Sequence, residues 1–257
     1  DYKYNIILTN SIKKRLLTIT KSIGYGIWFL LYGKVKSIIE SKNHSSIDIL
    51  ESLPDKNYSY RIFKIKNCRI YTDTVTDTAF IVENQIINGP SFQHRNPKNA
   101  DVSENIVFQK GTPKFKKKLK GKTFSLLTGG GGNANYWHWL FDVIPRIHII
   151  EKKINLDEIN FFLLPDLREN FQNESLEILK IPKEKRVSSR IFRHVQTDLT
   201  YTVDHPYVIR NNPSIEIQNL PNWILQYLRN KFLNNIGKKK FPNKFYIDRS
   251  DSKSNHS

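Results

Sequence analysis

The chain has 257 residues, 39% hydrophobic and 12% aromatic, enough for one large or two small domains with a sizeable core, which excludes an intrinsically disordered protein. Forty-one Lys and Arg against 24 Asp and Glu give a formal charge of +17, which directs the surface toward phosphate, nucleic acid or an anionic membrane but says nothing about fold. A single cysteine permits neither an intramolecular disulfide nor a Cys-rich zinc site and points to a reducing, cytoplasmic compartment.

The chain opens at Asp1 and contains no Met, which suggests a fragment or a processed start. Its most apolar run, Ile23 to Gly33, falls short of the ~20 apolar residues that span a bilayer. A buried or partner-facing helix is the plain reading. The sharper alternative is an interfacial anchor on an anionic membrane surface using residues 11–37, motivated by Lys13, Lys14, Arg15 and Lys21 before the run and Lys34 and Lys36 after it. Residues 1–57 are accordingly expected to be an amino-terminal helical, membrane-associated segment.

From Tyr58 to Ile87, short apolar runs (Tyr60–Ile65, Cys68–Tyr71, Ala79–Glu83, Gln85–Ile87) separated by turn residues predict an antiparallel meander. The pattern then changes to a strand at Phe124–Leu127, a helix over Asn135–Ile150, a strand at Ile159–Leu164 and a helix over Leu167–Leu179. A strand at Leu199–Val203, a helix over Pro221–Phe232 and a strand at Lys244–Ile247 follow. Strands alternating with helices predict an α/β fold with a parallel sheet.

The window Thr128 to Arg146 carries the most chemistry. Four glycines, Gly129 to Gly132, sit between a strand and an aromatic helix, where a backbone can approach a ligand closely; a loop tip is the alternative. Neither the dinucleotide fingerprint nor the phosphate-loop motif is present. At 100° per residue, His138 and Asp142 share one helix face, with Arg146 beside them if the helix continues. Trp137, Leu140, Phe141 and Ile144 share another face, expected to pack into the core. A carboxylate one turn after a histidine holds the imidazole and raises its basicity, making His138 a candidate general base; a structural histidine is the competing reading. Pro145 requires the helix to kink there or to end just before it. Arg146 suits either a phosphate or an adjacent carboxylate.

Lys110, Lys114, Lys116, Lys117, Lys118, Lys120 and Lys122 form an acid-free run: a solvated loop or edge strand, or a contact for membrane phosphates or an anionic glycan. Phe115 alone interleaves it, which weakens a nucleic-acid reading. No zinc-hydrolase histidine spacing, no hydrolase nucleophile elbow and no Asp-x-Asp pair occurs, so a metal site is not expected.

Three segments resemble glycosyltransferase family 61, whose bacterial members act in capsular polysaccharide biosynthesis. Asn135-Tyr136-Trp137-His138-Trp139-Leu140-Phe141-Asp142-Val143-Ile144-Pro145-Arg146 is similar to that family's N-Y-x-H-W-L-x-D-x-L-P-R signature. Phe171-Gln172-Asn173-Glu174-Ser175-Leu176 is similar to its F-Q-x-E-S-L helix, and Lys244 to Arg249 to its K-I-Y-I-S-R strand, with Asp248 in place of a small residue. The resemblance covers roughly residues 122–257. It implies a GT-B architecture of two Rossmann-like domains and inverting, metal-independent transfer from a nucleotide-sugar donor to a glycan or lipid-linked acceptor at the inner face of the cell membrane, with no further cofactor. Residues 58–240 would form the acceptor-side domain and 241–257 the start of a donor-binding domain otherwise missing, since the family's downstream Asn-Glu pair and His-Gly-Ala-Gly loop do not occur. In this frame His138 is the expected base and Asp142 its orienting partner, with Asp142 as base the competing assignment. Gly130, Gly131, Asn133, Asn135, Trp137, Arg146 and Arg249 are the expected substrate-binding residues.

Overall fold

The computed structural model describes residues 31–74, 76–91, 101–128, 133–208 and 213–233. The expected amino-terminal helix before Leu31, the Gly129–Gly132 turn, the Lys244–Ile247 strand and Arg249 lie outside them.

Four parallel strands form one side of a ten-stranded sheet: β9 (Lys117–Ser125), β10 (Phe161–Leu164), β11 (Arg186–Ser188) and β12 (His194–Val203), in the spatial order β11-β10-β9-β12. The alternation expected of a two-faced sheet is visible in β10, where Phe162 and Leu164 enter one core and Leu163 the other. Helices cover the first face. The long helix after β9 comprises α2 (Tyr136–His138), a π-helical turn (Trp139–Val143) and α3 (Ile144–Glu151); α4 (Asn170–Ile178) follows β10, and α6 (Asn222–Phe232) packs on α3. A short α5 (Pro213–Glu216) precedes α6.

The antiparallel strands join this sheet through β12. Along the edge of β12 away from β9, its amino-terminal residues pair with β5 (Arg69–Thr72) and its carboxy-terminal residues with β4 (Tyr58–Lys66). The chain turns between these two strands at Asn67, whose φ of 50° is left-handed. The sheet therefore forks: β4 continues into β3 (Ile47–Asp55), and β5 into β6 (Thr78–Val82), β7 (Gln85–Asn88) and β2 (Ser37–Glu40). Between the branches lies a second core built almost entirely from strand residues, among them Phe63, Ile65, Phe80 and Val195. Cys68 is buried in it, which pushes its thiol pKa up to about 12 and leaves it unreactive.

The helical expectation for residues 1–57 is corrected over its described part. Residues 32–55 carry β1 (Tyr32–Gly33), β2 and β3, because Ile38-Ile39 and the partly alternating Ile47–Leu53 find hydrogen-bonding partners in β7 and β4. β1 pairs with β8 (Thr112–Pro113) just after α1 (Ile106–Lys110). Gly111 makes that pairing possible: its φ is 69°, and a Cβ there would sit 2.5 Å from the Gly33 carbonyl oxygen. No helix among the described residues is long and apolar enough to cross a membrane.

Candidate functional site

In an open parallel sheet, ligands settle at the carboxyl ends of the strands where the order of connection reverses. Here the chain proceeds from β9 to β10 to β11 on one side, and β12 lies on the other side of β9. The reversal falls between β9 and β12. The residues just beyond those two strand ends build the site.

After β9, Asn133 and Asn135 set the start of the helix. Asn135 caps it, its side chain accepting from the His138 backbone N–H. The Asn133 side chain donates to the Thr74 carbonyl and accepts from the Asp166 N–H, while the Asn133 carbonyl accepts from Gln172 Nε2. The next turn is wide: Ile144 N–H donates to the carbonyl of Trp139, five residues back. This answers the question posed by Pro145. The π turn places the proline at the start of a fresh α-helical register, where its missing N–H costs no intrahelical bond, so the helix continues to Glu151.

The extra residue in that turn overturns the expected core face. Trp137 is 40% exposed and stacks on Phe141 with centroids 4.1 Å apart, and Leu140 and Phe141 are only half-buried; of the predicted stripe, Ile144 alone is fully buried. Trp139 goes inside instead, with its indole N–H donating to Ser175 Oγ at 2.8 Å. The two described segments that carry the family resemblance thus meet through Trp139–Ser175, and Gln172 of the second also holds the Asn133 carbonyl just before the first.

His138 and Asp142 meet as the four-residue spacing predicts. Nδ1 lies 2.7 Å from Asp142 Oδ2; the carboxylate is fully buried and the His138 side chain is 26% exposed. With a carboxylate accepting at Nδ1, that nitrogen carries the proton, which leaves Nε2 as the basic nitrogen of the neutral ring. The hydrogen bond to Asp142 raises the His138 pKa and outweighs partial burial. At Asp142 itself, burial opposes ionisation, but the hydrogen bond and charge of His138, with His205 nearby, hold its carboxyl well below the usual carboxylate range.

His205 comes from the other side of the reversal, two residues past the end of β12. Its Nδ1 accepts from the Val208 backbone N–H at 3.1 Å, so in the neutral ring the proton sits on Nε2, which faces Asp142 Oδ2 at 3.8 Å. Burial lowers its pKa despite the carboxylate, so it is neutral near pH 7. The loop carrying it is pinned by Tyr60, whose hydroxyl donates to the Pro206 carbonyl at 2.7 Å and accepts from Trp223 Nε1 at 3.0 Å.

Arg146 lies buried on the same side. Its Nη1 donates to the Leu127 carbonyl at 2.9 Å; burial pulls its pKa down to about 10, against the charges of Asp142 and Asp204. Asp142 Oδ1, Arg146 Nε and the Tyr207 hydroxyl are buried with no hydrogen-bond partner among the described residues, an unusual concentration of such atoms around one carboxylate. Arg146 and His205 open onto a cleft of about 670 Å³, whose walls include Arg61, Asp204, Ser59 and Asn88. His138 and Asp142 are not on its walls. Asp142 therefore separates a partly exposed imidazole from a deeper cleft reached through His205 and Arg146.

Of the residues expected at the site, the structure brings together His138, Asp142 and Arg146, with Trp137 exposed beside them. Asn133 and Asn135 are engaged in holding the turn, and Gly130, Gly131 and Arg249 lie outside the described residues. Sequence reasoning missed His205 and Asp204. The available signal was their position directly after the predicted strand Leu199–Val203. Among the described residues no group of three His, Cys, Asp or Glu side chains is placed to hold a metal ion. Comparison with protein-family models, curated proteins and solved structures gives no match.

Proposed function

We propose that the chain is a glycosyltransferase of the family 61 type, transferring a sugar from a nucleotide-sugar donor to a hydroxyl of a glycan or lipid-linked acceptor, with inversion and without a metal. On this reading the parallel strands belong to the acceptor-side Rossmann-like domain of a GT-B architecture, working at the cytoplasmic face of the membrane. The observation that carries it is the His138–Asp142 pair at the reversal of the parallel sheet, where such sheets take their ligands. The contact between the two resembling segments through Trp139–Ser175 supports it.

In the proposed step, the acceptor oxygen attacks the anomeric carbon as the bond from that carbon to the diphosphate oxygen breaks, and the nucleoside diphosphate departs. The acceptor proton passes to His138 Nε2, and Asp142 stabilises the resulting imidazolium. Trp137, exposed next to His138, offers a flat apolar face to a sugar ring. Arg146, buried on the other side of Asp142, acts on this step through the positive field it places on that carboxylate.

The test is transfer by a full-length version that carries the donor-binding domain, with a panel of nucleotide sugars and glycan acceptors, read as nucleoside diphosphate released. His138→Ala is expected to lower turnover about a hundred- to ten-thousand-fold, read well below a melting transition that itself falls because the buried Asp142 carboxylate loses its hydrogen-bond donor. Because the neutral ring is the base, the wild-type rate should rise with pH through the raised pKa of His138. Undiminished transfer in both His138→Ala and Asp142→Asn removes the site assignment, and no release from any donor removes the function.

A further inference from the structure

The loop that leads into β9 and the turn that leads into β12 carry a different kind of surface from the candidate site. A shallow groove of about 490 Å³ is formed by the loop Pro113–Lys117 and the turn Arg190–His194. Lys116, Lys117, Arg190 and Arg193 line it, with no carboxylate among the lining residues, and Lys114 and Lys118 are exposed alongside. Asp166 lies 3.7 Å from Arg190, but its carboxylate is claimed first by Arg168 at 2.5 Å. From the middle of this basic ground two apolar side chains stand out into solvent: Phe115, 78% exposed, and Ile191, 72% exposed. They are the two most exposed large hydrophobic residues among those described.

The groove is held firmly. His194, at its floor, donates from Nδ1 to the Pro113 carbonyl at 2.7 Å, and Lys117 lies over the Phe192 ring at 5.3 Å. A third stretch meets them here: Leu31 accepts at its carbonyl from the Lys114 N–H at 2.7 Å, and Tyr32 and Gly33 pair with Pro113 and Thr112. Three separate stretches of sequence thus converge on one face that combines excess positive charge with protruding apolar groups.

We propose that this face docks on an anionic lipid bilayer, with Phe115 and Ile191 entering the boundary between headgroups and acyl chains and the lysines and arginines meeting lipid phosphates. The chemistry discriminates against a nucleic acid. Single strands need successive flat faces on which bases stack, and here Ile191 offers none and Phe192 is covered by Lys117. The proposal is independent of the catalytic reading.

The test is flotation of the full chain with vesicles of phosphatidylcholine alone and of phosphatidylcholine and phosphatidylglycerol in equal parts. Wild type is expected to float with the mixed vesicles and to do so less as salt rises. Lys116→Gln with Lys117→Gln should weaken partitioning to the mixed vesicles about 25-fold, since each cation near such a surface contributes roughly fivefold. Phe115→Ser with Ile191→Ser should weaken it by more than about tenfold through lost apolar burial. Both pairs are solvent-exposed, so an unchanged melting transition confirms that the fold is intact. The proposal is overturned if wild type ignores the mixed vesicles, or if it floats equally with and without either pair of changes, which would assign binding to the amino-terminal run alone. Duplex DNA or heparin bound in place of vesicles, with loss on changing the lysines but not Phe115 and Ile191, would also overturn it.

Discussion

Replacing Asp142 by asparagine preserves volume and removes one buried charge from between three cationic or potentially cationic groups. The carboxylate is fully buried, accepts from His138 at 2.7 Å, faces His205 at 3.8 Å, and lies in the field of Arg146, which is itself 3% exposed. Removing one partner of a buried ionic group costs about 3–5 kcal/mol. Arg146 retains the Asp204 charge and the Leu127 carbonyl, which places the cost at the low end, about 3 kcal/mol. For a chain of this size that corresponds to a fall in melting temperature of roughly 6–12 °C.

The pH dependence of that cost has a definite shape. Asp142 has a folded-state pKa below its unfolded value of about 3.9, so its stabilisation is present above that pH and is lost as pH falls through the folded value. His138 has a folded-state pKa above its unfolded value of about 6.5, so its share is complete below that pH and is lost as pH rises through the folded value. His205 loses a neighbour that favoured its protonation, which widens the gap further on the acid side of about pH 6.5. The difference between wild type and Asp142→Asn should therefore be greatest from about pH 4 to about pH 6.5 and smaller near pH 9. Urea unfolding followed by tryptophan fluorescence across that range measures it. A difference that does not vary with pH, or one below about 1 kcal/mol near pH 5.5, would refute the buried-carboxylate account.

Two further outcomes check the packing and the electrostatics away from the pair. Trp139→Ala should destabilise the fold by about 3–5 kcal/mol, since it empties a fully buried site and removes the donor to Ser175 Oγ, whereas exposed Trp137→Ala should cost under about 1 kcal/mol; chemical denaturation of both variants decides between them. His194 is buried and sits near the Arg69 charge, which together lower its pKa to about 4, so wild-type stability should decline as pH falls from about 6.5 toward 4. His194→Gln should flatten that part of the profile, and an unchanged slope would count against the assignment.

The sequence exposed the parts of this molecule that depend on short-range geometry. A four-residue step brings His138 to Asp142, and the alternation of strands and helices after residue 124 predicts a parallel sheet, which β9 and β10 form. The expected strand Phe124–Leu127 catches only the end of β9, whose Lys117, Lys118, Lys120 and Lys122 lie in an interior strand and not in a loop or edge strand. What it concealed depends on contacts far apart in the chain. The pairing of β4 and β5 with β12 joins residues more than a hundred positions distant, so nothing local announced that the meander shares a sheet with the parallel strands. Trp139 rather than Trp137 entered the core because a five-residue backbone bond replaced the regular one, and the 100° rule for placing side chains fails across such a turn. His205 went unnoticed for a related reason. Its importance comes from standing opposite Asp142 across two strand ends, a relation that no spacing within one segment encodes.

The wide turn at Trp139–Val143 also fixes the length of this stretch against insertion and deletion. Losing a single residue there would restore ordinary winding and swing everything before it by about 100° about the axis relative to Pro145 and Arg146. Trp139 would leave Ser175, and the imidazole would point away from its acid. Point substitutions on the outer side of these turns can be absorbed one at a time, whereas a change in residue count cannot.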